Sequence, residues 1–121
     1  FVTTRTGNAV AVIDAARVEK VGEIGLPGQP VRMRFVPDGR RLLVTLIEAG
    51  DVAVVDARSL AVLHRFHVGT ATEGIQVDPV EGVGYASAQG DDRVVKFGLD
   101  DYRVRLQVAT ESRPDPIEVL R

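Results

Sequence analysis

The chain has 121 residues with 17 acidic and 15 basic side chains, and its formal net charge is -2. This length allows one domain with a single core, and the near-neutral charge gives no electrostatic footprint for nucleic acid or an anionic membrane. No apolar run approaches the roughly 18 to 20 residues that span a bilayer, and the absence of cysteine excludes disulfides, cysteine zinc sites and thiol nucleophiles.

A repeat of 42 residues organises the chain. The segment VAVID at 10–14 aligns with VAVVD at 52–56 and with VVKFG at 94–98, a shift of 42 positions each time. With the same shift, FVTT at 1–4 aligns with LVTL at 43–46 and YASA at 85–88. Because the alignment needs no gap, it indicates repeated structural units.

In chain order, residues 1–25 predict the last three strands of one unit. The best-preserved unit, 31–68, predicts strands at 31–36, 41–47, 51–56 and 60–68, with turns at Pro37-Asp38-Gly39, Ala49-Gly50-Asp51 and 56–59. A further unit spans 73–109, and 115–120 predicts the first strand of another. Apolar residues follow one another in 42–44 and 52–55, which is typical of sheets buried on both faces.

Four strands in each repeat, with both sheet faces covered, predict an all-β fold, a β-propeller of four-stranded antiparallel blades. The chain supplies about three of them: a partial blade at 1–25, blades at 31–68 and 73–109, and the innermost strand of another at 115–120. A β-sandwich of similar strand count is the alternative fold, but it gives no reason for a gapless period.

The residues resemble the YVTN family of β-propeller repeats. The resemblance rests on FVPDGRRLLVT at 35–45 and VAVIDA at 10–15, and it extends over essentially the whole chain. The family's asparagine is replaced at Thr4, Leu46 and Ala88, and the third copy departs further at Lys96 and Gly98. The resemblance implies an extracytoplasmic, periplasmic or secreted protein, similar in shape to quinoprotein amine dehydrogenase heavy chains.

Three blades are fewer than the four to eight with which propellers typically close. Either the remaining blades belong to a longer chain, or a second copy closes the ring, with the C-terminal strand of one copy completing the first blade of the other. The start of the sequence within a blade, at Phe1, favours the longer chain.

No constellation of catalytic or metal-ligating residues emerges. His64 and His67 lie on a predicted outer strand at a spacing that places them on opposite faces. The acidic stretches Gly90-Asp91-Asp92 and Leu99-Asp100-Asp101 lack EF-hand spacing, and aspartate is a common turn residue. We therefore expect no catalytic residues, no metal and no cofactor in these 121 residues.

A polar set emerges on the predicted innermost strands, which line the central channel of a propeller. The repeat aligns polar residues at one position of these strands, 34, 76 and 118, and at the position just upstream, 73 and 115, with residue 32 beside it. The ligand-binding candidates are Arg32, Arg34, Glu73, Gln76, Asp115 and Glu118. The arginines suit anionic or carboxylate partners. The structural alternative is that these side chains line a water-filled channel or pair between blades, for example Arg34 with Glu118 across a closed ring.

The leading hypothesis for function is a non-enzymatic platform that binds a small ligand or a protein at one face. A second is a fragment of a propeller enzyme, a quinoprotein-type dehydrogenase or a lactonase-like hydrolase, whose site needs residues from other blades. A third is a set of blades with no function beyond assembly.

Overall fold

The computed structural model describes residues 1–4 and 8–109, and these form three antiparallel sheets in which successive strands are neighbours. The strands are β1 (Val2–Thr4), β2 (Ala9–Asp14) and β3 (Glu19–Gly25) in the first sheet; β4 (Pro30–Phe35), β5 (Arg41–Leu46), β6 (Asp51–Asp56) and β7 (Val62–His67) in the second; and β8 (Thr72–Asp78), β9 (Val83–Ala88), β10 (Arg93–Gly98) and β11 (Val104–Ala109) in the third. The predicted all-β architecture is confirmed, and the predicted strand at 115–120 lies outside the described residues. Within the described ranges, no helix is long and apolar enough to cross a membrane.

The strand register repeats with the sequence. Val44 pairs with Ala53 in the second sheet, and Ala86 pairs with Val95 in the third, 42 positions later. The ladder between the third and fourth strands of each blade shifts at 12/13, 54/55 and 96/97, again at the same position of the repeat. A β-bulge at a fixed place increases the local twist, so the repeat preserves the curvature of the blade as well as its pairing.

The core lies between the sheets, in two layers. Leu42, Val44 and Leu46 of β5 pack toward the first sheet, against Val10. Leu43, on the opposite face of the same strand, belongs to the cluster between the second and third sheets. Consecutive residues of β5 are therefore buried on alternate sides, which explains the unbroken apolar run that the sequence shows there.

Within residues 1–4 and 8–109, seven residues other than glycine adopt positive φ, and all seven fall at three positions of the repeat. One position holds Asn8 and Asp92, with Gly50 between them; a second holds Val18, Leu60 and Tyr102; the third holds Gln29 and Ala71. The strain is greatest for Val18, because a β-branched side chain fits the left-handed region poorly. These turns are fixed by the fold, whichever side chain occupies them.

We expect Val18→Asn to stabilise the protein by about 1 kcal/mol, since asparagine tolerates the left-handed conformation. The matched control is Val21→Asn, because Val21 is also exposed but lies within strand β3. There asparagine replaces a good strand former, so stability should fall, by up to about 1 kcal/mol. Urea unfolding measures both, and an equal loss in the two variants would contradict the assignment of strain to Val18.

A carboxylate closes the predicted turn at 56–59. Asp56 is buried, and its Oδ1 accepts hydrogen bonds from the backbone N–H groups of Ser59 at 3.0 Å and Arg58 at 2.8 Å. Its Oδ2 accepts a bond from Nε of Arg40 at 3.1 Å. The backbone hydrogen bonds from Ser59 and Arg58 are the largest causes that hold the pKa of the Asp56 carboxyl below its ordinary value, and the hydrogen bond from the Arg40 side chain adds to them.

A lowered pKa in the folded state means that Asp56 stabilises the fold above the carboxyl pKa of the unfolded chain, about 3.9. That contribution is lost as the pH falls through the lower folded value. We expect Asp56→Asn to be less stable than the parent at pH 7 and to lose less of its remaining stability on acidification from pH 6 to pH 3. Urea midpoints across this range measure both slopes, and parallel slopes would contradict the role of the charge.

Candidate ligand site at the channel rim

We call the loops at one end of the sheets the entry rim. Residues 26–29 and 68–71 lead into the innermost strands β4 and β8, and residues 47–50 and 89–92 connect β5 to β6 and β9 to β10. Backbone hydrogen bonds join them, with Ile47 N–H donating to the carbonyl of Gln29 at 3.0 Å and Val68 N–H to that of Gly50 at 2.8 Å. Gly50 has a φ of 74°, and a Cβ there would overlap the carbonyl group of Gly69. The rim is thus closely packed, and it holds the first residues of β4 and β8 in place.

An ion pair crosses from one innermost strand to the next at this rim. Nη2 of Arg32 on β4 lies 3.6 Å from Oε1 of Glu73 on β8, and Nε2 of Gln89 donates to Glu73 Oε2 at 2.9 Å. The Glu73 side chain is only 15% exposed, whereas that of Arg32 is 48% exposed. The carboxylate is therefore held by the protein, whereas about half of the Arg32 side chain is exposed.

A buried hydroxyl fixes the backbone beneath this pair. Thr45 on β5 is fully buried, and its Oγ1 accepts a hydrogen bond from the backbone N–H of Arg32 at 3.1 Å. The same hydroxyl donates to the backbone carbonyl of Glu73 at 2.8 Å. One side chain thus links the two strands at the residues that form the ion pair.

The hydroxyl recurs at the same position of the other blades. Thr3 donates to the carbonyl of Val31 at 3.2 Å, one repeat before the bond from Thr45. Ser87, one repeat after Thr45, is buried and accepts from the backbone N–H of Gly74 at 2.7 Å. This polar position is therefore a repeated link within and between blades.

The structure brings together two of the six predicted residues, Arg32 and Glu73. Arg34 is exposed on β4, and within the described residues its side chain makes no hydrogen bond or ion pair; with Phe1, Met33, Phe35 and Leu42 it lines a cavity of about 390 Å³. Oε1 of Gln76 accepts from the backbone N–H of Val77 at 3.1 Å. Asp115 and Glu118 lie outside the described residues.

Sequence reasoning missed Gln89 and Thr45. The signal for Thr45 was present, since a hydroxyl residue recurs at 3, 45 and 87 inside apolar strands. Gln89 follows strand β9 in a short 3₁₀ turn and shows no repeat, so only the folded structure places it beside Glu73.

A second charged cluster lies at the opposite end of the sheets. The guanidinium of Arg41 donates from Nε to Asp38 at 2.8 Å and from Nη1 to the carbonyl of Leu99 at 2.7 Å and to the Tyr102 hydroxyl. Burial opposes the charge of Arg41, but these hydrogen bonds with Asp38 and Tyr102 outweigh it and raise its pKa. Because its donors bridge the second and third sheets, we interpret Arg41 as a structural link.

The histidines do not converge on one site. Nδ1 of His67 lies 2.9 Å from Oδ1 of Asp51, whereas the ring of His64 stacks on Tyr102 with centroids 5.2 Å apart. Asp91, in one of the acidic stretches, accepts a hydrogen bond from the backbone N–H of Thr70 at 2.8 Å and so links two loops of the entry rim. Across residues 1–4 and 8–109, no group of three or more His, Cys, Asp and Glu side chains could hold a metal ion.

Comparison with solved structures identifies the fold. The chain is similar to hydrazine synthase from Kuenenia stuttgartiensis, with a TM-score of 0.86 and 23% identity over 93% of this chain and 33% of that one. It is also similar to AztD from Citrobacter koseri, with a TM-score of 0.73 and 12% identity over 89% of this chain and 31% of the other. Sqt1 from Saccharomyces cerevisiae matches with a TM-score of 0.76 and 12% identity over 88% and 29%.

These proteins are β-propellers, and the likeness confirms the predicted propeller fold. The chain spans about a third of the length of each of these proteins. No protein-family profile matches the chain, and no curated protein matches it in sequence.

We expect Thr45→Val to destabilise the protein by about 1 to 3 kcal/mol, because it leaves the Arg32 N–H and the Glu73 carbonyl without their shared partner. The matched control, Thr45→Ser, keeps the hydroxyl and removes one methyl group, at a cost of about 0.8 kcal/mol. Thermal and urea unfolding of the two variants measure the difference. Equal losses would show that the methyl group, and not the hydroxyl, stabilises this junction.

Proposed function

We propose that the chain is part of a YVTN-type β-propeller that serves as a non-enzymatic binding platform in a periplasmic or secreted protein. Support for the family comes from the gapless 42-residue repeat and the FVPDGRRLLVT and VAVIDA segments. Support for the compartment comes from the family resemblance alone. The remaining blades of the platform would come from a longer chain or a second copy.

The ligand we propose is a carboxylate-bearing small molecule or peptide end, bound at the entry rim by Arg32 and Arg34. The observation that carries this proposal is the half-exposed Arg32 side chain, whose Nη2 lies 3.6 Å from a carboxylate that Gln89 also binds. Planar guanidinium groups bind carboxylates through two parallel hydrogen bonds. Arg34, exposed two residues further along β4, adds a second positive charge.

The other candidates complete the lining of the channel in this proposal. Glu73 orients Arg32, and Gln76 supplies an amide on the neighbouring innermost strand. Asp115 and Glu118 occupy the equivalent positions of the next innermost strand, by the repeat alignment.

An enzymatic role for the parent protein, as a quinoprotein-type dehydrogenase or a lactonase-like hydrolase, would draw its catalytic residues from other blades. Hydrazine synthase carries an enzyme's name, but at 23% identity it shares the fold with this chain and nothing finer is transferred. We favour the binding platform because the rim offers charged hydrogen-bond donors arranged for recognition.

The test is titration of the full chain with citrate, a tricarboxylate probe, followed through the arginine Nε–H signals by NMR. We expect Arg32→Gln and Arg34→Gln each to weaken citrate binding about tenfold, which corresponds to the loss of one charge-assisted hydrogen bond of about 1.5 kcal/mol. The matched control is Arg103→Gln, an exposed arginine in the turn between β10 and β11. It should leave the affinity within about twofold of the parent.

Equal weakening in all three variants would show attraction to charge in general and would contradict a site at the rim. Absence of any citrate-dependent shift at Arg32 and Arg34 would contradict carboxylate binding itself. Far-ultraviolet circular dichroism of each variant establishes that the sheet content is unchanged before affinities are compared.

A further inference from the structure

The turns at the end of the sheets opposite the entry rim enclose a cavity of about 380 Å³. These turns connect β4 to β5, β8 to β9 and β10 to β11, and Arg41 on β5 and Arg105 on β11 complete the lining. We call this space the turn cavity. Its lining residues belong to the second and third blades. Its volume lies in the range of about 300 to 1,000 Å³ that is usual for small-molecule sites.

The floor of the turn cavity is apolar. Val36 is 3% exposed and Leu99 is 5% exposed, and both belong to the core cluster between the second and third sheets. Pro37 and Pro79, one repeat apart, also line the cavity. Because proline has no backbone N–H group, these two positions offer a ligand apolar surface without a backbone donor.

Hydrogen bonds join the turns that form the cavity. The N–H group of Leu99 donates to the carbonyl of Gly82 at 3.0 Å, and the Leu99 carbonyl accepts a bond from Nη1 of Arg41 at 2.7 Å. Within the turn between β4 and β5, the N–H group of Gly39 donates to the Val36 carbonyl at 2.9 Å. The cavity is therefore preformed, and a ligand that enters it has few groups to order.

Each acidic side chain of the lining already has a cationic partner. The pairs are Asp38 with Arg41 at 2.8 Å, Glu81 with Lys96 at 3.3 Å and Asp100 with Arg105 at 3.0 Å. The three carboxylates are thus compensated within the protein. A ligand in the cavity therefore meets no unpaired negative charge among the lining residues.

Arg105 is the cation of the lining that keeps hydrogen-bond donors for a ligand. Arg41 directs Nε and Nη1 to protein acceptors. Within the described residues, Arg105 contacts acceptors through Nη2 alone, Asp100 at 3.0 Å and Asp101 at 3.8 Å. The Asp100 side chain is 80% exposed, so water screens this pair and it contributes little. Nε and Nη1 of Arg105 remain as donors for an anion.

The third copy of the repeat departs from the others at the two positions that place this guanidinium. Residue 98 is glycine, where the earlier copies have an aspartate that closes the turn, as Asp56 does. A Cβ at Gly98 would overlap Nη2 of Arg105 and Oδ1 of Asp101. Position 105 itself holds valine and leucine in the earlier copies. Glycine at one position thus makes room for the arginine at the other.

We propose that the turn cavity binds a small carboxylate with an apolar body, such as an aryl carboxylate. The free N–H groups of Arg105 donate to its carboxylate, a pairing that guanidinium groups favour. The apolar body lies over Val36 and Leu99, between the two prolines. This site goes beyond the function proposed for the entry rim. The two sites lie at opposite ends of the sheets and share no residue, so either proposal can fail while the other stands.

The experiment is titration of the full 121-residue chain with benzoate, which joins one apolar ring to one carboxylate, followed by NMR. We expect shifts at the Arg105 Nε–H and at the backbone N–H groups of Leu99 and Gly82, and none at the Arg32 Nε–H. Acetate lacks the ring and benzamide lacks the charge. Each should bind at least about tenfold more weakly than benzoate, because each loses either apolar burial or the charge-assisted hydrogen bond.

Substitutions at the cavity test the role of its charge in both directions. Arg105→Gln should weaken benzoate binding about tenfold, through loss of a charge-assisted hydrogen bond. Asp100→Asn removes the acid that competes for Arg105 and should strengthen binding, by up to about fivefold. The matched control is Arg17→Gln, an exposed arginine in the corresponding turn of the first blade, between β2 and β3. It should leave the affinity within about twofold of the parent.

Circular dichroism establishes that each variant keeps its sheet content before affinities are compared. Absence of benzoate-dependent shifts around the turn cavity would overturn the proposal, and shifts at Arg32 in their place would assign benzoate to the entry rim. Equal binding of benzamide and benzoate would contradict recognition of the carboxylate. Equal weakening by Arg105→Gln and Arg17→Gln would show attraction to charge in general and would also overturn the site.

Discussion

The whole structure depends on a sheet that is apolar on both faces. Leu42, Val44 and Leu46 of β5 pack toward one neighbouring sheet, and Leu43 packs toward the other. Such a sheet cannot be stable alone in water, because either face by itself would expose a large apolar area. Sheets must therefore stack in sequence, each covering a face of its neighbour.

The hydroxyl group of Thr45 lies inside this apolar stack, and it has a hydrogen-bond partner both as acceptor and as donor. The Thr45 hydroxyl accepts from one innermost strand and donates to the next, so that it joins two blades within their apolar interface. Hydrophobic packing is non-directional, whereas a buried hydroxyl with two defined partners fixes the relative height of the strands. Because Thr45 bonds to the backbone of both Arg32 and Glu73, that alignment sets the distance between the two side chains of the ion pair. The proposed recognition at the rim thus depends on a residue that is itself fully buried.

The sequence predicted the fold closely because the repeat gives three independent copies of the same pattern. Predicted strands at 41–47 and 51–56 correspond to β5 and β6 within one residue, and the turn at Asp56 forms as the aspartate spacing indicates. The contacts around Glu73 were predicted less completely. A repeat alignment identifies positions that the copies share, and a glutamine at position 89 is not shared by the other copies. Contacts between side chains of neighbouring blades depend on bulges at 30–33 and 72–75, which no local pattern in those segments announces. Backbone strain at Val18 was also invisible, since valine is a strand former by preference.

Positions where the three repeats carry similar residues hold the blades together, and positions where the repeats differ form the rim cluster. Hydroxyl residues at 3, 45 and 87 agree, and so do the left-handed turns at 18, 60 and 102; these positions hold the blades together. The rim cluster uses positions where the copies differ: Arg32 corresponds to Gly74, Glu73 to Val31, and Gln89 to Ile47. A propeller whose blades were identical would carry the same side chains around the whole rim and could not distinguish one junction from another. The divergence between copies gives the junction of the second and third sheets the ion pair between Arg32 and Glu73, and the proposed ligand site depends on that asymmetry.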